Sequence, residues 1–104
     1  MKQNKVYGLL GLAARGRNLA SGEFATEKAI KDGKAMLVIV ARDASANTKK
    51  RFGDKCSFYE VPIHTYGTKE ELGRAIGTAE RSSIALLDKG LARTITGYLE
   101  ELQD

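Results

Sequence analysis

The feature that most constrains the fold is an uninterrupted apolar run in the middle of the chain, from Ala35 to Ala41. Its central residues, Leu37 to Val40, are mostly β-branched, and such a run predicts a strand that is covered on both faces. The run is far too short to cross a bilayer. The chain therefore has to supply packing layers on both sides of this strand, and its 104 residues are enough for one core.

Helical patterns lie on both sides of this strand. Between Val6 and Ala13, apolar side chains recur at amphipathic spacing. Four later segments each begin with a residue whose side chain can accept hydrogen bonds from first-turn amides. One of them also carries a Glu at capping-box spacing. The predicted helix starts are Ser21 (with an end at Gly33), Ser45, Thr68 with Glu71, and Asp88.

Short strands alternate with these helices. Val61 to Tyr66 and Ile84 to Leu87 are predicted strands, and Asn18 to Ala20 is a further short one. Alternating helices and strands with short connections predict an α/β fold, a three-layer α/β/α sandwich around a small mixed, mostly parallel sheet of about four strands. We expect residues 1–104 to form a single domain.

Charge is distributed unevenly along the sequence. The formal net charge is +4. Residues 1–55 carry twelve basic and five acidic side chains, a charge of +7, whereas residues 56–104 carry five basic and eight acidic ones, a charge of −3. A basic face that meets an anionic partner and an ordinary solvated surface are both compatible with this distribution.

Several classes of chemistry are disfavoured by the residues that the chain lacks. Cys56 is the only cysteine and His64 the only histidine, which excludes an internal disulfide and a cysteine-rich zinc site. Asp43 and Asp88 both follow predicted strands and are better interpreted as helix-capping residues than as metal ligands. No nucleophile–base pair and no phosphate-binding loop is present. We therefore predict no catalytic residue, no metal and no cofactor.

The first predicted helix is interpreted as part of the fold. Its apolar stretch superficially resembles a signal peptide, but it contains Gly8 and Gly11 and runs directly into Arg15. We therefore expect a cytoplasmic protein that has no membrane partner.

The second predicted helix carries the most informative pattern. At 100° per residue, Phe24, Lys28 and Lys31 fall on the face opposite Thr26 and Ile30. An outward Phe beside two Lys suits a nucleic acid, because bases stack on aromatic rings and ammonium groups bind phosphates. The alternative is that Phe24 folds back onto the first helix as a core residue.

Other polar and cationic residues could join this face if their segments share one end of the sandwich. Such a grouping would contact an RNA backbone. The residues are Arg15 and Arg17 upstream, Lys34 downstream, and Asn47, Lys49, Lys50 and Arg51 at the start of the third helix. Lys50 and Asp54 could instead form an ordinary surface pair.

The chain resembles the ribosomal protein L7Ae and L30e family of kink-turn RNA binders, and within it the small bacterial YlxQ type, from about Val6 to Leu99. The resemblance implies an α/β/α sandwich that binds RNA through the start of its second helix and adjoining loops, without catalysis or cofactor. It rests on these segments taken together: Gly22 to Gly33, Ala35 to Asp43, Ala44 to Lys50, Val61-Pro62, and Lys69 to Gly77.

The RNA-reading motif of that family is Gly-x-Asn-Glu-x-x-Lys, and this chain matches it in part. Gly22 and Lys28 match, Glu23 occupies the variable second place, and Phe24 and Ala25 stand where Asn and Glu are expected. The resemblance assigns the Asn and Glu to sheared G·A pairs, and neither Phe nor Ala can make those hydrogen bonds. Phe24 could stack on an unpaired base instead. Arg81, in the second contact loop of the family, could hold a phosphate.

These observations together predict a non-catalytic protein that binds structured RNA, such as ribosomal RNA or the RNA of ribonuclease P, with the ribosome as a further partner and no small-molecule substrate. One alternative is a protein-interaction module on the same fold. Another is an accessory that binds substrate RNA beside an RNA-processing enzyme.

Overall fold

A four-stranded mixed sheet lies at the centre of the protein in the computed structural model, which describes residues 2–102. The predicted domain also includes residues 1, 103 and 104, which lie outside this range. The elements are α1 (Lys2–Arg15), β1 (Leu19–Ser21), α2 (Glu23–Lys31), β2 (Leu37–Val40), α3 (Ala46–Tyr59), β3 (Ile63–Thr65), α4 (Lys69–Ala75), β4 (Ser83–Leu86) and α5 (Lys89–Leu102).

The sheet has the order β1-β4-β2-β3. Three strands run in one direction, but β4 is inserted between β1 and β2 and is antiparallel to both, so only β2 and β3 form a parallel pair. The expectation of a mostly parallel sheet is therefore right in that three of the four strands run in one direction. It is wrong for the hydrogen-bonded pairs, because two of the three pairs are antiparallel. The physical reason is that α4 has only seven residues, roughly 10 Å of helix. The chain returns through residues 76–82 to the end of the sheet that it left, and β4 then runs back.

The predicted three-layer sandwich is confirmed. Helices α2 and α3 pack against each other and against β4 and β2, whereas α1 contacts α4 and α5 in the other layer. Every residue of β2 and β4 is buried, as the apolar run requires. Burial of these strands between two layers removes their side chains from water, the main driving force for folding.

Three of the predicted helix starts are confirmed. The Ser45 hydroxyl accepts a hydrogen bond from the Thr48 amide at 3.1 Å. Thr68 and Glu71 form the complete capping box of α4. The Asp88 carboxylate accepts a hydrogen bond from the Leu91 amide at 2.8 Å at the start of α5.

The predicted cap at Ser21 is wrong. Ser21 is the last residue of β1, where it pairs with Ile84 of β4, and Gly22 is the N-terminal cap of α2 instead. Gly22 has φ = 92°, a left-handed conformation that residues with a Cβ rarely adopt. The sharp turn allows α2 to begin immediately after the strand.

The spacing of Phe52, Cys56 and Tyr59 predicts an inward stripe on α3, and in the structure this stripe ends one turn earlier. Phe52 and Cys56 are buried, but Tyr59 is 41% exposed, because the helix ends there and Glu60 turns into the left-handed conformation. Burial raises the pKa of the Cys56 thiol to about 11, which supports its interpretation as a packed side chain rather than a nucleophile.

Close packing explains one of the two glycines near the end of α4. A Cβ on Gly73 would meet the carbonyl oxygen of Ala79, in the loop of residues 76–82. The four-residue spacing of Gly73 and Gly77 predicts close packing at both positions, but Gly77 has no atom within 4 Å of an added Cβ and has φ = 78° instead. Gly73 therefore holds the loop against α4, and Gly77 reverses the chain.

The Gly73→Ala variant should lower the free energy of unfolding by about 1–3 kcal/mol, because the added methyl group overpacks against a backbone carbonyl. Gly53→Ala is the matched control, since Gly53 lies in α3 with no atom within 4 Å of a Cβ. The control should raise stability by about 0.5–1 kcal/mol. Urea unfolding measures both, and equal midpoints for the two variants would contradict the close approach at Gly73.

Candidate nucleic-acid interface

The starts of α2, α3 and α4 lie at one end of the sheet. Strands β1, β2 and β3 run in the same direction, and each is followed by one of these helices. The residues that end the three strands are Ser21, Val40 and Thr65, and we call this end of the sheet the helix-start end. The loop of residues 76–82, which leads into Ser83 of β4, reaches the same end because Ser83 pairs with Val40.

The loop of residues 76–82 is attached directly to the start of α2. The Gly22 amide donates a hydrogen bond to the Ser83 carbonyl at 3.0 Å. The Arg81 guanidinium donates to the Ser21 hydroxyl and to the Glu80 carbonyl, each at 3.0 Å. Arg81, the predicted phosphate contact, therefore lies beside the motif and also positions the loop against it.

Phe24 projects away from the core. Its side chain is 82% exposed, whereas Thr26, Ala29 and Ile30 on the opposite face are buried. Of the two alternatives for Phe24, the outward one is confirmed. The helix has no side-chain cap because Gly22 precedes it, so no side chain of the cap residue occupies its first-turn amides, which favour an anion.

Two shallow clefts flank the Phe24 ring. One, of about 240 Å³, is lined by Phe24, Glu27, Lys28, Lys31 and Asp32. The other, of about 250 Å³, runs along the β1 edge and includes Ala25 and Lys34. Four of the predicted residues of this segment (Ala25, Lys28, Lys31 and Lys34) therefore lie around the exposed Phe24 ring.

The ammonium groups near Phe24 are already paired with carboxylates. Lys28 contacts Asp32 at 2.8 Å, and this hydrogen bond raises the pKa of Lys28 and lowers that of Asp32. Lys31 contacts Glu27 at 3.1 Å. Both pairs join residues one helical turn apart. The Lys28–Asp32 pair is exposed and contributes little net stabilisation, whereas Glu27 of the other pair is only 21% exposed.

Glu27 is the centre of an ion-pair cluster that links α2 to α3. Its carboxylate contacts Lys31, Arg51 at 2.8 Å and Lys55 at 3.5 Å. Hydrogen bonds from Lys31 and Arg51 lower its pKa to about 2. Arg51 also contacts Glu23 at 3.1 Å. The i,i+4 spacing of Glu27 and Lys31 signals the first contact, but nothing local in the sequence identifies the contacts of Arg51.

The start of α3 lies beside this cluster at the helix-start end. Asn47, Lys49 and Lys50 are exposed. Lys50 contacts Asp54 at 3.0 Å, so the ordinary surface pair that its spacing allows is present. Arg51, the next residue, connects this basic segment to α2.

Two predicted residues lie away from this group. Arg15 and Arg17 precede β1, whose first residue Leu19 pairs with Leu86 at the opposite end of the sheet. Both are exposed. Lys34 also lies toward that end, before β2, although it reaches the second Phe24 cleft. The predicted residues of α2 and α3 therefore lie near Arg81 at the helix-start end, whereas Arg15 and Arg17 lie at the opposite end of the sheet.

Residues 2–102 contain no group of three His, Cys, Asp or Glu side chains placed to hold a metal ion. No helix in this range is long and apolar enough to cross a membrane.

Comparisons with known proteins agree with this fold. The chain is 40% identical over 94 residues to the RNA-binding protein YlxQ of Bacillus subtilis (strain 168), covering 90% of this chain and 94% of the relative. A structure of a protein of unknown function from Bacillus halodurans C superposes with a TM-score of 0.89 at 43% identity, covering 92% of this chain and 97% of that one.

A more distant structure shares the fold. The 15.5kD RNA binding protein of Giardia lamblia superposes with a TM-score of 0.81 at 22% identity, covering 98% of this chain and 88% of that one. The family model of ribosomal proteins L7Ae, L30e and S12e and of Gadd45 matches residues 4–95. The chain therefore belongs to the Ribosomal protein L7Ae/L30e/S12e/Gadd45 family.

Proposed function

We propose that this protein binds structured RNA through the start of α2 and is not itself an enzyme. The observation that carries the proposal is the 82% exposed Phe24 ring beside Lys28, on the segment where this chain matches the RNA-reading motif of its family at Gly22 and Lys28. The Bacillus subtilis relative is named as an RNA-binding protein, which supports the same function here.

The physical basis of binding is a base stacked on Phe24 with phosphates held around it. Stacking of a base on an exposed aromatic ring contributes about 1–3 kcal/mol. Lys28 and Lys31 line the same cleft and can exchange their carboxylate partners for phosphates. Asn47, Lys49 and Lys50 at the start of α3 extend the contact along the backbone, and the first-turn amides of α2 favour an anion.

The preferred element is an RNA fold that presents an unpaired base. The Asn and Glu of the family motif are replaced by Phe24 and Ala25, so polar contacts to sheared G·A pairs give way to stacking. Ribosomal RNA and the RNA of ribonuclease P supply many such elements, which makes the ribosome a candidate partner and the cytoplasm the expected location. Ultraviolet crosslinking in a bacterial lysate, followed by sequencing of the attached RNA, would identify the target.

The absence of catalysis is part of the proposal. The one cysteine, Cys56, is buried and its thiol pKa is raised to about 11, so it is a poor nucleophile near neutral pH. The exposed cations around Phe24 suit phosphate binding, and the ring supplies no proton donor or acceptor.

Salt dependence tests whether the interface is electrostatic. Affinity for a bulged RNA stem should fall steeply with rising salt, since each phosphate contact releases a condensed counterion. Lys28→Gln should reduce the slope of log K against log salt by about 0.7–0.9. Lys89→Gln, at the exposed start of α5, is the matched control and should leave the slope unchanged. Equal slopes for the two variants would remove Lys28 from the interface.

Phe24→Ala should weaken binding to an RNA with an unpaired base by about 1–3 kcal/mol, measured by fluorescence anisotropy. The free energy of unfolding should change by less than about 0.5 kcal/mol, because the ring lies at the surface. Leu12→Ala removes another exposed apolar side chain, 50% exposed on α1, and should bind like the wild type. An unchanged affinity of the Phe24 variant would end the stacking proposal.

Restoring the polar motif should change the RNA preference. The double variant Phe24→Asn with Ala25→Glu should gain affinity for a standard kink-turn by about tenfold or more, since each good hydrogen bond to a base contributes roughly 1–3 kcal/mol. It should lose affinity for unpaired-base elements. A competition titration between the two RNA classes measures the shift. An unaltered preference would show that these two positions do not read the RNA.

A further inference from the structure

A second exposed aromatic pair lies at the end of α3. The Phe58 side chain is 78% exposed and that of Tyr59 41%. The two rings meet edge to face, with centroids 5.0 Å apart and planes inclined by 77°. Exposed rings of this size are unfavourable in water unless a partner covers them. Tyr59 is not part of the buried stripe of α3, so packing of the core does not explain why two aromatic rings lie here.

The pair borders a cleft with a cationic side. The cleft, of about 500 Å³, is lined by Arg51, Asp54, Lys55, Phe58 and Tyr59. Its volume is within the range of small-molecule sites and is large enough for a nucleotide. Two of the side chains that line the cleft, Arg51 and Lys55, are cationic and one, Asp54, is acidic, so the cleft offers cationic partners to an anion.

The same ion-pair cluster separates this cleft from the Phe24 cleft. Glu27 lines the Phe24 cleft, and its carboxylate contacts Arg51 and Lys55, which line the Phe58 cleft. The outer face of α2 and α3 therefore has an aromatic group at each end and paired cations between them. We call this surface the α2–α3 strip.

We propose that Phe58, Tyr59 and Lys55 form a second nucleotide site, which stacks another unpaired base of the RNA that contacts Phe24. This inference rests on the proposed function and extends it. A nucleotide supplies both groups that the cleft fits: a flat ring for Phe58 and a phosphate for Lys55 or Arg51. The phosphate replaces Glu27 as the partner of one of these cations. An acidic protein segment matches the charge but does not require two exposed rings at the cleft wall.

The experiment compares two synthetic RNAs, a bulged stem with a single-stranded tail of eight nucleotides and the same stem without the tail. Phe58→Ala should weaken binding of the tailed RNA about tenfold, in the range for loss of one stacked base, and leave the tailless RNA unaffected. Phe58→Trp should retain the wild-type affinity because it keeps a stacking ring. Leu12→Ala, in the other helical layer, is the control for loss of an exposed apolar side chain.

Crosslinking locates the contact independently of affinity. With 4-thiouridine in the tail, irradiation should attach the RNA to the tryptic peptide of residues 56–69, and Phe58→Ala should abolish that adduct. Crosslinks confined to residues 18–28, with unchanged affinity of Phe58→Ala, would overturn the second site and leave the proposed function intact.

Two further outcomes distinguish failure of the proposed function from failure of this inference alone. Wild-type protein that binds neither RNA at low salt would refute the proposed function and this inference with it. RNA affinity unaffected by Phe58→Ala, together with loss of a protein that copurifies with the wild type, would overturn the inference in favour of a protein-binding surface.

Discussion

The position of β4 is the constraint on which the candidate interface depends. Because β4 lies between β1 and β2, its first residue, Ser83, lies next to the start of α2. The Ser83 carbonyl accepts a hydrogen bond from the Gly22 amide, and the Ser83 and Thr26 hydroxyls meet in the core at 3.3 Å. Both polar groups are buried and need this contact. The inward direction of Thr26 fixes the rotation of α2, and the outward direction of Phe24 follows from it.

Several cations of the candidate interface are already paired with carboxylates, so a phosphate that binds to them replaces a carboxylate partner rather than meeting an unpaired positive charge. Lys28, Lys31, Arg51 and Lys55 each contact a carboxylate. An exposed pair such as Lys28–Asp32 contributes little to stability, so a phosphate can displace Asp32 at small cost. Glu27 is only 21% exposed and contacts three cations, so it holds them more firmly. The pairing also fixes the cations before RNA arrives, which reduces the entropy lost on binding. A modest net charge of +4 is therefore compatible with a nucleic-acid partner.

The sequence predicts the features of this protein that local chemistry determines. The apolar run around Leu37, the capping box at Thr68 and the outward face of Phe24 each follow from a few neighbouring residues. The antiparallel insertion of β4 does not, because strand order depends on how α4 and its loop return across the sheet. The contacts of Arg51 with Glu23 and Glu27 join residues more than twenty positions apart, and no spacing rule identifies them. Tyr59 fits the α3 stripe by spacing, yet it is the last residue of the helix and is 41% exposed.

The turn at Gly22 is fixed by the fold, whereas the side chains of Phe24 and Ala25 determine the chemistry of the surface at that turn. Gly22 must keep its left-handed conformation for α2 to begin where it does, so the turn is constrained by the backbone. The two positions after Glu23 project from that turn and can change without affecting the core. An Asn and a Glu there discriminate between bases by hydrogen bonds, whereas a Phe ring accepts any base because every base has a π face. In the proposed mode of binding, selectivity for an RNA comes from shape: from where an unpaired base lies relative to the phosphates that would reach Lys28 and the start of α3.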